Sequence, residues 1–353
     1  MRYISRGSHE EFRRCPRSGY WRYLSGPFGE DSTLGLEAPI ASPHYAIGIA
    51  WHLAAEGLLR GEPGVVAVKP ALAFAVEQGL GSDWQEWLLA ATLAFERSAL
   101  PTFQEKYEVV SIEEELLTPL TSNVQLYTRA DAILRERLSG DLWVLNWKTA
   151  REVKDWNKKW FYDIQAWTES LAAEAKLGEP VRGCIFYGIW KGPIYQGTTT
   201  SRLIYGYRYS HPGGSTSYGT ENSGSGKRFR VAEETFPFGE GLAAWINWLP
   251  EDFLRKHFVE SAPQIRQDEL VEGWLRQVVG LESDIDHVLA EGSPQDKLDF
   301  FWQNWGEDTC SRCAYAPLCT LKAGPEELIA EGLLRPRKAS PRDELEAKEN
   351  ASS

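Results

Sequence analysis

No stretch of about 18 uncharged apolar residues occurs anywhere in this 353-residue sequence, and its start, Met1 to Cys15, is charged and carries no apolar run. The expectation is a chain that is neither secreted nor membrane-spanning, and therefore cytoplasmic. Positive charge is also in deficit. With 38 Lys and Arg against 50 Asp and Glu the formal charge is −12, which argues against a chain that coats nucleic acid by bulk electrostatics and leaves open only a local basic groove. The five cysteines are too few, and too oddly placed, for a disulfide scaffold of this size. No internal repeat of fixed period is present, which excludes solenoids and propellers.

What is present is core-forming material. A hydrophobic content of 42% with 15 Trp can bury a large interior, in one elaborated domain or two small ones. Basic residues gather at Arg13, Arg14, Arg17 and Arg22 and again at Lys148, Arg151, Lys154, Lys158 and Lys159, while acid dominates roughly the last hundred residues.

Periodicity divides the chain. Ile47, Trp51, Leu53, Ala54 and Leu58 fall at helical intervals within Ser42–Arg60, and Trp84, Trp87, Leu88 and Leu93 predict a second helix over Ser82–Ser98. Three strands follow, Tyr107–Leu117, Val124–Arg135 and Leu142–Trp147. If Ser139 and Gly140 form the turn between the last two, Asp131 falls opposite Lys148, with Asn146 on the same face. A helical stripe then runs from Trp156 through Trp160, Ile164, Trp167 and Leu171 to Ala175, stopping at Gly178, and Val181–Trp190 reads as a fourth, buried strand. The resulting segments are 1–40, a core over 41–190, a Gly- and Ser-rich insertion or lid over 191–240, a mainly helical region over 241–322, and a charged mobile tail over 323–353.

Asp131, Asn146 and Lys148, converging on one face, resemble the signature of PD-(D/E)XK nucleases. The flanking segments are similar to those of the RecB-like branch, which includes CRISPR-associated exonucleases. Tyr127-Thr128-Arg129-Ala130-Asp131 resembles its G-R-x-D segment, Leu145-Asn146-Trp147-Lys148-Thr149 its D-x-K-T segment, Gly48-x-x-x-His52 its helix histidine, and Gln165 its glutamine after the lysine strand. The resemblance implies an α/β, restriction-endonuclease-like core with helical additions, and Mg²⁺ or Mn²⁺ held by Asp131, Asn146 and His52. It also implies Lys148 stabilising charge on the phosphate and Gln165 ordering the site. Position 146 departs from the pattern: an amide stands where an acid belongs, which weakens cation binding and water activation. Glu115 and Glu152 are candidate replacements.

Cys310-x2-Cys313-x5-Cys319 brings three thiols within ten residues, and Cys15 is the natural fourth. Four thiolates suit an iron–sulfur cluster or structural Zn²⁺. The arrangement resembles that of RecB-like exonucleases, which implies a structural [4Fe–4S] cluster clasping both chain ends. Cys184, inside a buried strand, reads as a small hydrophobe. Trp147, Trp156, Trp160, Trp167 and Trp190 lie near the site in sequence, and their spacing suits core packing better than base stacking. The resemblance therefore implies a DNA nuclease, an exonuclease acting on DNA that includes single strands, in recombination, repair or phage and mobile-element processing, with a helicase or recombinase partner. A nuclease-derived scaffold that binds DNA or protein without cutting is the alternative.

Overall fold

The structure is a computed structural model. It describes residues 2–24, 35–37, 43–150 apart from 123, 155–191 apart from 161 and 162, and 249–339 apart from 293, 305, 311, 312 and 321–323, with isolated short stretches between 194 and 247 and at 343, 344 and 347. The chain opens with strand β1 (Arg2–Ile4), helices α1 (Arg6–Arg14) and α2 (Pro16–Tyr23) and strand β2 (Leu36–Glu37). Helices α3 (Pro43–Leu59), α4 (Gly64–Glu77), α5 (Ser82–Ser98) and α6 (Leu100–Lys106) follow. Then come strands β3 (Tyr107–Pro119), β4 (Val124–Glu136) and β5 (Leu142–Ala150), helices α7 (Trp156–Lys159) and α8 (Ile164–Leu177), and strand β6 (Val181–Trp190). The expected order of helix, three strands, helix and strand is that of α3, β3, β4, β5, α8 and β6.

The sheet is mixed and seven-stranded, and β4 is its hub. Strand β3 pairs antiparallel along nearly the whole of one β4 edge. The other edge is shared, because β1 runs parallel against Val124–Leu126 and β5 antiparallel against Ala132–Arg135. The segment 127–131 thus lies where β1 has ended and β5 has not yet joined. Strand β5 continues parallel to β6, and the short strands Phe258–Glu260 and Gln264–Ile265 add antiparallel to β6. Helices α3 to α5 cover one face, where Trp51, Trp87 and Phe95 join Trp147 and Tyr187 in a single core. Helix α8 covers the other, packing Ala166, Trp167 and Ala173 on Ile133, Val144 and Phe186. The result is a three-layer α/β fold of the restriction-endonuclease-like kind. Among the described residues no helix is long and apolar enough to cross a membrane.

Several expectations are corrected. The hairpin register differs by two residues: Arg135 pairs with Leu142, so the same register carries Asp131 to Asn146 rather than Lys148. The loop is longer because Glu136 and Asp141 close it, with Gly140 at φ +78° supplying the left-handed step. A two-residue shift preserves the side-chain face, so Asp131, Asn146 and Lys148 stay together. The stripe from Trp156 to Ala175 is two helices, since Asp163 starts a new one by accepting the Gln165 N–H. Helix α4 and strand β1 carry weak sequence signals; α4 contains Pro70 and β1 is three residues long. Within the region read as helical, Phe258–Glu260 and Gln264–Ile265 are edge strands.

Within the last segment, residues 324–339 are described. Helix Pro325–Ala330 is followed by Arg335–Pro336, which pairs with β2, and Leu328 and Leu334 are buried against Leu36 and Tyr315. Two leucines are too faint a signal to stand out in a charged sequence. Of the expected lid, the strand pairs Ile194–Gln196 with Thr199–Ser201 and Tyr209–Ser210 with Ser217–Tyr218 are described; most of the rest lies outside the described residues.

His257, just before the strand Phe258–Glu260, is 1% exposed, and its ring nitrogens have no hydrogen-bond partner among the described residues. Burial pushes its pKa from 6.5 down to about 3. The folded-state pKa is depressed, so the neutral ring's contribution is complete above pH 6.5 and is lost as pH falls toward 3. The expected loss is about 5 kcal/mol at most. Urea titrations from pH 7 to 4 should show stability falling, with a shallower slope in His257→Leu; equal slopes would remove His257 as the cause.

Candidate active site

The gap beside β4 explains how the site is built. Where β5 parts from β4, the Trp147 N–H loses a ladder acceptor and donates instead to Asp131 Oδ2 at 2.7 Å. This bond fixes one carboxylate oxygen. The other, Oδ1, lies 3.0 Å from Nδ1 of His52 on α3. Gly48, one turn before His52, lines the same cleft; a Cβ there would meet Thr149 Oγ1 at 3.6 Å, an ordinary contact, so the glycine keeps the cleft floor open rather than relieving a clash.

Glu113 completes the group. In the β3–β4 register Ile112 pairs with Ala132 and Glu114 with Ala130, which sets Glu113 across from Asp131. Its φ is +51°, in the left-handed region that costs a non-glycine residue about 1–3 kcal/mol, a strain of the kind that collects at functional sites. Ligand atoms of His52, Glu113 and Asp131 all lie within 4.8 Å of one another. Burial would lower the His52 pKa, but the Asp131 charge and hydrogen bond outweigh it and hold it raised. Burial would raise Asp131, but His52, Lys148 and the Trp147 N–H hold it low. Glu113 is raised by burial, only partly offset by Arg129, whose Nε is 3.0 Å from Glu113 Oε2. Two carboxylates supply hard oxygen donors suited to Mg²⁺ or Mn²⁺, and the imidazole adds a nitrogen donor beside them.

On the α8 side a second network begins. Lys148 Nζ donates to Gln165 Oε1 at 2.9 Å, and Gln165 Nε2 donates to Asn146 Oδ1 at 2.9 Å and to Glu169 Oε1 at 2.7 Å. Asn146, buried, donates through Nδ2 to Glu169 Oε2 at 2.6 Å and to Cys184 Sγ at 3.2 Å. Burial, reinforced by the Asp131 charge, pushes Glu169 up to about 7. His52, Asp131, Lys148, Gln165 and Glu169 all line one open cleft of about 680 Å³.

The sequence model of the PD-(D/E)XK nuclease superfamily matches residues 3–320. The chain belongs to that superfamily. No curated protein matches it. In this superfamily member the structure brings together His52, Asp131, Asn146, Lys148 and Gln165 as the sequence pattern requires, and adds Glu113 and Glu169. Glu115, a candidate replacement acid, points elsewhere: its Oε1 accepts the Tyr127 hydroxyl at 3.0 Å. Glu152 lies outside the described residues. Within Glu113-Glu114-Glu115 only the register across β3 and β4 selects the acid that faces Asp131, and Glu169 carries a one-turn signal, four residues after Gln165 on α8. The tryptophans 147, 156, 160 and 167 are buried; Trp147 packs edge-on against Trp51 and Phe95, and Trp160 stacks on Phe186.

The four terminal cysteines also meet. Cys15, Cys310, Cys313 and Cys319 line one small cavity at the far ends of the chain. Arg17 N–H donates to Trp302 O at 3.2 Å and Asn304 Nδ2 to Arg14 O at 2.8 Å, tying the two ends on either side of the cavity. Burial pushes the Cys313 and Cys319 thiols up. Four half-buried or buried thiols around one cavity fit a soft metal centre. Cys184 is remote from them, buried in β6 beside Asn146.

Proposed function

We propose that the protein is a divalent-cation-dependent deoxyribonuclease of the RecB-like branch. In this reading it is an exonuclease that trims DNA ends, single strands included, in recombination, repair or the processing of phage and mobile-element DNA. The observation that carries the reading is the grouping of His52, Glu113 and Asp131 within 4.8 Å, with His52 and Asp131 lining the cleft that also holds Lys148. A bound Mg²⁺ or Mn²⁺ would neutralise phosphate charge and lower the pKa of an attacking water. Asp131, oriented by the Trp147 N–H, and Glu113 would hold the cation with His52. Lys148, steered by Gln165, would present its ammonium to the phosphate oxygens as charge develops. A helicase or recombinase partner would supply such ends.

We also propose that Cys15, Cys310, Cys313 and Cys319 hold a structural [4Fe–4S] cluster. Zinc–sulfur bonds of about 2.3 Å would draw four thiolates to roughly 3.8 Å from one another. What favours the cluster is the sequence spacing, one distant cysteine with a C-x2-C-x5-C trio, where zinc sites more often use two C-x2-C pairs.

The test is cleavage of end-labelled single- and double-stranded DNA with Mg²⁺ or Mn²⁺, using anaerobically purified protein and Lys148→Ala. Cleavage that the variant loses supports the nuclease. The second reading, a DNA- or protein-binding scaffold without hydrolysis, is favoured by the amide at 146 and would appear as a parent protein that binds DNA and leaves it intact.

A further inference from the structure

Glu169 is a fully buried carboxylate that the cation-binding trio does not use. Such a group is a poor choice for stability alone, because burying a carboxylate costs several kcal/mol unless it is well compensated. Yet Glu169 is 2% exposed, lines the cleft, and is held at both oxygens by amides, Asn146 at 2.6 Å and Gln165 at 2.7 Å. The amide that grips it stands at position 146, where the superfamily pattern calls for an acid.

We propose that Glu169 is the carboxylate that completes the cation site from the α8 side, taking over the charge that Asn146 lacks, with Asn146 as its positioning residue. An Asn–Glu pair and an Asp–Gln pair contain the same functional groups, one carboxylate and one amide, joined by the same hydrogen bond. Exchanging one pair for the other moves the charge between strand and helix without changing its total. In this chain the strand carries the amide, and Lys148, two residues on, keeps its link to Gln165. The inference rests on the nuclease reading but concerns the ligand set, so cation binding can test it apart from cleavage.

The experiment compares the parent, Glu169→Gln and the double exchange Asn146→Asp/Glu169→Gln by Mn²⁺ titration followed by electron paramagnetic resonance, by DNA cleavage, and by thermal unfolding. Glu169→Gln is expected to weaken Mn²⁺ affinity and cleavage by about 10–100-fold in a protein that still unfolds cooperatively. The double exchange should recover most of both. Unchanged Mn²⁺ affinity in folded Glu169→Gln overturns the proposal, as does a folded double exchange that stays as weak as the single variant. A parent that binds Mn²⁺ without cutting DNA would count against the nuclease reading alone, since the titration series still decides the role of Glu169. A parent that binds no Mn²⁺ would end both.

Discussion

Asp131→Asn is expected to reduce DNA cleavage by about 10²–10³-fold while leaving the fold intact. The amide oxygen can still accept the Trp147 N–H that Asp131 Oδ2 accepts at 2.7 Å, so the parting of β4 and β5 is preserved. What disappears is the charge. Asp131 faces His52 Nδ1 at 3.0 Å and Glu113 across the β3–β4 ladder, so one carboxylate links His52 to the β5 backbone. With the charge gone, the raised His52 pKa should fall, because burial, the largest influence on it, would no longer be outweighed. Single-turnover cleavage with Mn²⁺ gives the catalytic effect, and the His52 titration followed by NMR gives the electrostatic one. Full cleavage in a folded variant would remove Asp131 from the chemistry.

Cys313→Ser is expected to be the most damaging change to stability. The cysteine cavity joins residue 15 to residues 310–319, so a group held there restrains nearly the whole chain. Around it lie the Arg17 to Trp302 and Asn304 to Arg14 hydrogen bonds and the aromatic contact of Tyr20 with Phe301, with ring centroids 4.8 Å apart. These contacts and the apolar cluster of Phe12, Tyr20, Ile285 and Phe301 hold the two segments together, and loss of the bound group leaves the thiols at their centre without a partner. The variant is expected to lose the brown colour of an iron–sulfur protein and to become sensitive to proteolysis within residues 1–24, with a loss of several kcal/mol comparable to that of removing a structural metal. Limited proteolysis with visible absorption measures both. A colourless parent with stoichiometric zinc would favour Zn²⁺, and a Cys313→Ser protein as stable as the parent would show that the thiols hold nothing structural.

Much of the core was legible because its signals are local. The helix α3 stripe, the alternation of β3 to β5, the run Val181–Trp190 and the Gly178 stop each depend on a few neighbouring residues. The order of those elements, with His52, Asp131, Lys148 and Gln165 at matching places, was sufficient to indicate the fold. The hairpin register was not legible to the residue, because Ser139-Gly140 suits a two-residue turn as well as the wider loop that Glu136 and Asp141 close. Alternation nevertheless kept Asp131, Asn146 and Lys148 on one face, since an error of two keeps every side chain on its face.

The sequence by itself determined the residue types at the site, the amide at 146, the four-thiol spacing and the succession of helices and strands, all of which are written in short stretches of chain. Only the tertiary structure decided which acids join the site. Glu113 rather than Glu115 does so because the β3–β4 register sets it, with its left-handed φ, across from Asp131, and Glu169 does so because α8 lies over Asn146. Those choices depend on register and packing between segments far apart in sequence, and no local pattern encodes the angle at which one segment meets another.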